Sequence, residues 1–93
     1  EIENIWEKIP STTDILITHG PPHGIRDLTF LQDNTGCPLL LEKVREIKPR
    51  IHAFGHIHEA AGIAQNSFTL FINSATEVIC VDYQADVIEY EVL

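Results

Sequence analysis

Two short apolar runs, each followed at once by a histidine motif, constrain the fold of this chain more than any other feature. Residues 14–18 read Asp-Ile-Leu-Ile-Thr and lead into His-Gly-Pro-Pro at 19–22. Residues 51–55 read Ile-His-Ala-Phe-Gly and lead into His-Ile-His at 56–58. Short runs rich in β-branched and aromatic residues predict buried strands, and glycine and proline interrupt them. The histidines are therefore predicted to follow directly on two strands.

A helix is predicted between these two strands. Pro38 suits a first helical turn, and apolar residues then follow at helical spacing until Pro49. A second apolar helical face covers residues 2–9 and ends at Pro10. The first part of the chain is therefore predicted to be a strand–helix–strand unit preceded by a helix.

The last third of the chain is predicted to be a β-meander. We expect a loop over residues 56–66 and then three strands, at residues 67–73, 77–83 and 87–92, with a turn at 84–86. The predicted class is therefore α/β, with one mixed β-sheet, two helices and a single domain over residues 1–93.

Charge and cysteine content exclude several classes of function. The net charge is −8, and no basic residue follows Arg50, so the chain lacks the basic stripe that binding to a nucleic-acid backbone requires. No apolar run approaches the roughly 20 residues of a spanning helix, and no polybasic patch suits a membrane surface. Cys37 and Cys80 lack metal or redox spacing, so we expect a reducing, cytoplasmic location.

The chain contains no methionine, and its first helical pattern begins at Ile2 without a capping residue before it. We therefore expect it to be a piece of a longer protein.

The histidines are the strongest candidates for chemistry. His19, His56 and His58 follow strands that flank a crossover helix, and such strands are usually parallel neighbours. Ligands of open α/β sheets bind at the carboxyl ends of the strands, where these imidazoles would meet. Imidazole is a good ligand for divalent transition metals, so we expect a metal site. His52, inside a strand, is interpreted as a core or edge residue, and His23 as a surface residue.

Other side chains receive structural interpretations. Cys37 and Cys80 are expected to be small buried apolar residues, and Trp6 a core anchor. Ser74 has no histidine near it in sequence, and no Gly-rich phosphate loop occurs.

Several segments together resemble the calcineurin-like metallophosphoesterases. These are Thr-His-Gly-Pro-Pro at 18–22, Gly-Cys at 36–37 with Leu-Leu at 40–41, and His-Ala-Phe-Gly-His-Ile-His-Glu at 52–59. The branch that the chain resembles contains class III cyclic-nucleotide phosphodiesterases and metallophosphoesterase-domain proteins. The resemblance implies the C-terminal half of a four-layer αββα sandwich.

That resemblance also implies a site with two divalent transition metals, which would be Mn, Fe, Zn or Ni. His19 and His56 would bind the second metal and His58 the first, and Asn73 would support the site. The family's Asp-x-His, Gly-Asp and Gly-Asn-His blocks are absent, so this chain would supply no catalytic residue. Asp27 and Glu59 are nearby carboxylates, but their spacing does not make them replacements.

Three functions remain open. The chain is expected to belong to a metal-dependent phosphodiester hydrolase, inactive alone and completed by a missing N-terminal half or a second chain. Alternatively, it is a non-catalytic metal-binding or protein-interaction module that forms homo-oligomers. The third possibility is a structural zinc site held by three histidines.

Overall fold

The computed structural model describes residues 2–76, 79–83 and 88–92. In chain order the elements are α1 (Ile2–Glu7), β1 (Ile15–Ile17), α2 (Pro38–Ile47), β2 (Ile51–Phe54), a 3₁₀ turn (His58–Ala60), β3 (Gly62–Gln65), β4 (Leu70–Asn73), β5 (Ile79–Tyr83) and β6 (Ile88–Val92). The predicted α/β class, with a mixed sheet and two helices, is confirmed.

Four strands form the main sheet in the order β1-β2-β4-β3. β1, β2 and β4 are parallel, whereas β3 pairs with β4 in the antiparallel sense. The register sets Leu16 beside His52 and His52 beside Phe71, so these three side chains share one face. Because β1 and β2 are parallel neighbours, the segments that follow them leave the same edge of the sheet.

The core lies between this face and helix α2. Leu16, Phe54 and Phe71 are buried against Leu40 and Val44 of α2. Helix α2 ends at Lys48, whose left-handed backbone (φ 50°) lets its N–H donate to the Val44 carbonyl at 2.8 Å. The predicted helix and its end before Pro49 are therefore both confirmed.

The opposite face of the sheet is apolar but remains partly uncovered by the described residues. On β1, Ile15 and Ile17 are 61% and 76% exposed, and their neighbours Ile51 and Ala53 on β2 are half-buried. A strand whose side chains are apolar on both faces is typical of a sheet covered on both sides. We call this surface, formed by Ile15, Ile17, Ile51 and Ala53, the open face.

Three parts of the predicted meander are wrong. Residues 62–65 form β3, although a loop was predicted there, because this short Gly-Ile-Ala-Gln segment shows no apolar alternation and gains its order from pairing with β4. β4 then lies parallel to β2, so the chain does not run through adjacent strands in sequence order. Phe68, predicted inside a strand, lies in the turn before β4 and is exposed.

The last two strands form a separate antiparallel pair, β5 with β6. The predicted turn at 84–86 and the side chain of Cys80 lie outside the described residues. Among the described residues, α1 and α2 have 6 and 10 residues, and both are too short to cross a bilayer.

Candidate metal centre

The candidate site lies where β1 and β2 end side by side. We call residues 18–23 the first loop and residues 55–61 the second loop. The pairing of the two strands continues into both loops: the Thr18 N–H donates to the Ala53 carbonyl at 3.1 Å, and the Gly55 N–H donates to the His19 carbonyl at 3.0 Å. These bonds bring the rings of His19 and His56 to a centroid distance of 4.8 Å, with 45° between their planes.

Packing fixes the first loop beyond His19. Pro21 and Pro22 are buried, and the Pro21 carbonyl accepts a hydrogen bond from the Cys37 N–H at 3.1 Å. Gly36 makes this approach possible, because a Cβ at that position would lie 2.7 Å from the backbone nitrogen of His23 and closer still to the Pro22 carbonyl. The loop therefore rests directly on the segment that starts α2.

A buried histidine lies beneath the first loop. His52 is fully buried, and its Nε2 lies 3.0 Å from the Thr18 hydroxyl oxygen, while its Nδ1 has no hydrogen-bond partner among the described residues. Burial in this apolar position lowers the pKa of His52 from 6.5 to about 4, so the ring is neutral at pH 7. Of the two alternatives for His52, core or edge, the structure gives the core.

Polar side chains from other elements hold the second loop. The Asn73 amide donates at 3.0 Å to the carbonyls of both Ile57 and Arg26, and Asn73 is fully buried. The Arg26 guanidinium in turn donates to the Ala60 carbonyl at 3.0 Å and to the Ala61 carbonyl. A single amide thus ties the segment between His56 and His58 to the segment around Arg26.

His56 has an unusual backbone. Its φ is 72°, in the left-handed region that few non-glycine residues adopt, although histidine is enriched among those that do. Such a conformation costs of order 1–3 kcal/mol and persists where surrounding contacts enforce it. Here the bend turns the His56 ring toward His19 immediately after Gly55.

His58 and Glu59 begin the 3₁₀ turn and are both exposed. The Glu59 carboxylate accepts a hydrogen bond from the Phe30 N–H at 3.1 Å. The backbone N–H groups of Glu59 itself and of Phe30 hold the pKa of this carboxyl below its ordinary value. Glu59 therefore links the second loop to the segment around Phe30.

Asp27, the other carboxylate near the site in sequence, is only 1% exposed. Its Oδ2 accepts hydrogen bonds from the backbone N–H groups of Gly24 at 2.7 Å and of Gly36 at 2.8 Å. The carboxylate therefore organises the loop between the first loop and α2.

The chemistry of the histidine pair is that of metal ligands. His19 and His56 are exposed and adjacent, and their imidazoles suit a shared divalent transition metal. Across the described ranges 2–76, 79–83 and 88–92, however, no three His, Cys, Asp or Glu side chains are placed to hold one ion. Among the described residues the pair is therefore an incomplete set of ligands for such an ion. The assignment of His58 to a first metal stays a prediction.

The histidine pair opens onto a cavity of about 320 Å³ with mainly apolar walls, lined in part by Trp6, Pro21 and Leu40. The Trp6 indole N–H donates to the Cys37 sulfur at 3.3 Å at the side of this cavity. Trp6 and Cys37 are half-buried and pack against the core, so Trp6 is the core anchor that was predicted, whereas Cys37 is less buried than predicted. His23 is half-buried rather than fully exposed.

Sequence reasoning missed the roles of four residues that organise the site: Arg26, Asp27, Thr18 and His52. A buried polar residue becomes visible only when its neighbours are known, since their hydrogen bonds span up to 47 positions in the chain. The support from Asn73, which the resemblance implied, corresponds to its two hydrogen bonds across the loops.

No family model matches the chain. Individual proteins do: it is 43% identical to UPF0046 protein K07C11.7 of Caenorhabditis elegans over 75 residues, which are 81% of this chain and 26% of that protein. It is 44% identical over 81 residues to metallophosphoesterase domain-containing protein 1 of Homo sapiens, and equally to that of Mus musculus, covering 85% of this chain and 24% of each relative.

The chain thus spans about a quarter of the length of the curated relatives it matches, and the match includes most of its residues. The chain therefore belongs to the metallophosphoesterase-domain proteins, of which it corresponds to one part.

Proposed function

We propose that the protein is a metal-dependent phosphoesterase that hydrolyses phosphodiester bonds, and that this chain supplies His19, His56 and His58 to a centre of two divalent transition metals. The observation that supports this most strongly is the pair of imidazoles at 4.8 Å, formed by the ends of two parallel strands. In such a centre, paired divalent metals activate water and stabilise the phosphate oxygens during in-line displacement.

The residues of this chain would bind the metal ions and orient them. His19 and His56 would be ligands of one ion, and His58 would be a ligand of the other. The bridging carboxylate, the remaining ligands and the proton donor come from the rest of the domain or from a second chain. The open face supports this division, because Ile15 and Ile17 expose apolar surface that further sequence of the same domain would cover.

The test uses the intact protein, by which we mean the protein with all the sequence that completes the domain. It is loaded with Mn²⁺ and assayed with an activated phosphodiester such as bis(4-nitrophenyl) phosphate. We expect His19→Ala and His56→Ala to reduce both bound metal and kcat by at least about 100-fold, since each removes a direct ligand. His23→Ala is the matched control, because His23 lies on the same loop but outside the histidine pair. The 93-residue chain by itself should show no hydrolysis above its His19→Ala variant. Full activity in His56→Ala would refute the proposal.

A non-catalytic metal-binding or interaction module is the second candidate. Two observations favour it: the open face and the incomplete set of metal donors among the described residues. This candidate predicts an intact protein that binds metal or a second copy of itself but hydrolyses no phosphoester. Sedimentation together with the hydrolysis assay separates the two, and a stable monomer that hydrolyses the diester excludes the module. Loss of folding on metal removal would instead indicate a structural zinc site.

A further inference from the structure

His52 is an unexpected residue for its position. It is fully buried in the sheet face that packs on α2, with its ring centroid 5.0 Å from that of Phe54 and 5.9 Å from that of Phe71. A polar group in such surroundings is unfavourable unless its hydrogen bonds are satisfied. The imidazole must therefore contribute something that an apolar side chain of similar size would not.

The hydrogen bonds of Thr18 define the state of the imidazole. The Thr18 hydroxyl lies 2.7 Å from the Gly20 carbonyl oxygen and 3.0 Å from His52 Nε2. A carbonyl oxygen only accepts, so the single hydroxyl proton points to Gly20. His52 must then carry its proton on Nε2 and donate it to the Thr18 oxygen, and Nδ1 is left as a bare acceptor.

That bare Nδ1 is buried and has no partner within the part of the chain that the structure describes. An imidazole here therefore satisfies only one of its two ring nitrogens, whereas leucine or phenylalanine would leave no orphaned polar atom. Core packing alone does not account for a histidine at position 52. What the imidazole adds is the Nε2–H donated to Thr18.

Thr18 and Gly20 flank His19. A Cβ at Gly20 would meet no atom of the described residues within 4 Å, so close packing around this Cβ position does not hold the turn. The Thr18 hydroxyl holds the Gly20 carbonyl instead, and the Thr18 N–H anchors the same turn to Ala53 of β2. The turn that carries the His19 ring is thus closed by one hydroxyl, and His52 orients that hydroxyl.

We propose that His52 and Thr18 are positioning residues of the histidine pair: the buried imidazole orients the Thr18 hydroxyl, which holds the Gly20 carbonyl and thereby sets the His19 ring opposite His56. This extends the proposed function, on which its metal-binding consequence rests. The ring geometry itself does not depend on metal.

The first test measures that geometry without metal, in the intact protein, as the nuclear Overhauser effect between the His19 and His56 ring protons. Thr18→Val and His52→Leu should abolish this signal, because the first removes the hydroxyl that closes the turn and the second removes the Nε2–H that orients this hydroxyl. Thr18→Ser and His52→Gln should retain it, since serine keeps the hydroxyl and glutamine can donate from its Nε2. The control is Thr69→Val: the Thr69 hydroxyl is also buried and donates to the Pro49 carbonyl at 2.5 Å, outside both loops.

The second test measures Co²⁺ affinity of the same variants by competition with a chelator. Thr18→Val and His52→Leu should each weaken binding about 10-fold, as loss of a supporting hydrogen bond commonly does, and the double variant no more than either alone. Thr69→Val should lower thermal stability without changing affinity.

An unchanged ring signal in Thr18→Val or His52→Leu overturns the inference, as does an equal loss in Thr69→Val. If the wild-type protein shows the ring signal and its expected losses but binds no Co²⁺, the positioning role stands and the proposed metal function fails.

Discussion

The first and second loops bring one histidine each to the same place, but by different physical means. The first loop rests on packing: Pro21 and Pro22 are buried, Gly36 allows close backbone contact, and one hydroxyl closes the turn. The second loop depends on hydrogen bonds from Asn73 and Arg26, and it contains the left-handed His56. A site shared by two such loops should tolerate change unequally on its two sides.

The largest effect is expected from Asn73→Ala in the second loop. This change leaves the carbonyls of Ile57 and Arg26 without their donor, and each buried unsatisfied group costs about 1–3 kcal/mol. We expect the free energy of unfolding to fall by about 4 kcal/mol in urea titration. Asn66→Ala is the control: its Oδ1 accepts from the N–H groups of Phe68 and Thr69 in an exposed turn, and about 1 kcal/mol should be lost. Equal losses in both variants would contradict the importance of the amide.

Acid should destabilise the support of the first loop through His52. The pKa of His52 is about 4 in the folded protein and 6.5 when exposed, so the unfolded state binds more protons between these values. The contribution of neutral His52 to the free energy of unfolding is therefore fully present above pH 6.5. It decreases by about 3 kcal/mol as the pH falls to about 4. Unfolding measured against pH in wild type and His52→Gln should differ by this slope. Parallel pH profiles would show that His52 is not buried in its neutral form.

The close contact beneath the first loop can be tested at Gly36. Gly36→Ala places a Cβ against the backbone of Pro22 and His23, which cannot move aside as a flexible side chain would. We expect a loss of about 2 kcal/mol in the free energy of unfolding. Gly20→Ala, within the first loop itself but with open space around its Cβ, should change the free energy of unfolding by less than about 0.5 kcal/mol. Reversal of this order would refute the packing described for the first loop.

The smallest effect is expected at His56, and its sign is informative. His56→Gly removes the left-handed strain at φ 72° but adds the entropy cost of glycine, so we expect a gain of about 0.5 kcal/mol. His58→Gly, in the 3₁₀ turn, should instead lose about 0.5–1 kcal/mol. Thermal unfolding measures both, and a clear destabilisation by His56→Gly would mean that the backbone there is unstrained.

Much of the fold follows from local pattern, since each of its longer elements carries its own signal. Helix α2 has Pro38 at its start and apolar residues at helical spacing, and β1 and β2 are β-branched or aromatic runs ended by glycine or proline. β3 lacks such a signal, because Gly62 and Ala64 favour no strand and the pairing with β4 creates it. β3 lies between β2 and β4 in sequence but at the edge of the sheet in space. The reason is that β4 pairs with β2 on one side, which leaves its other side for β3.

The site, like the fold, has parts that the sequence predicts and parts that it does not. Histidines after two neighbouring parallel strands can be recognised from spacing, and the structure brings His19 and His56 together as this predicts. The supports could not be predicted, because Asn73, Arg26 and Thr18 act through partners 16 to 47 residues away. The left-handed backbone of His56 could not be predicted either, since histidine is enriched in this conformation but glycine and asparagine are commoner there.

The central claim is that His19 and His56 bind one and the same metal ion. Substitution of ¹¹³Cd²⁺ into the intact protein, with ¹⁵N-labelled histidine, tests it through the scalar couplings between cadmium and the imidazole nitrogens. We predict one cadmium resonance coupled to both His19 and His56, with His58 coupled to a different resonance. Coupling of His19 and His56 to separate resonances, or to none, would contradict the account.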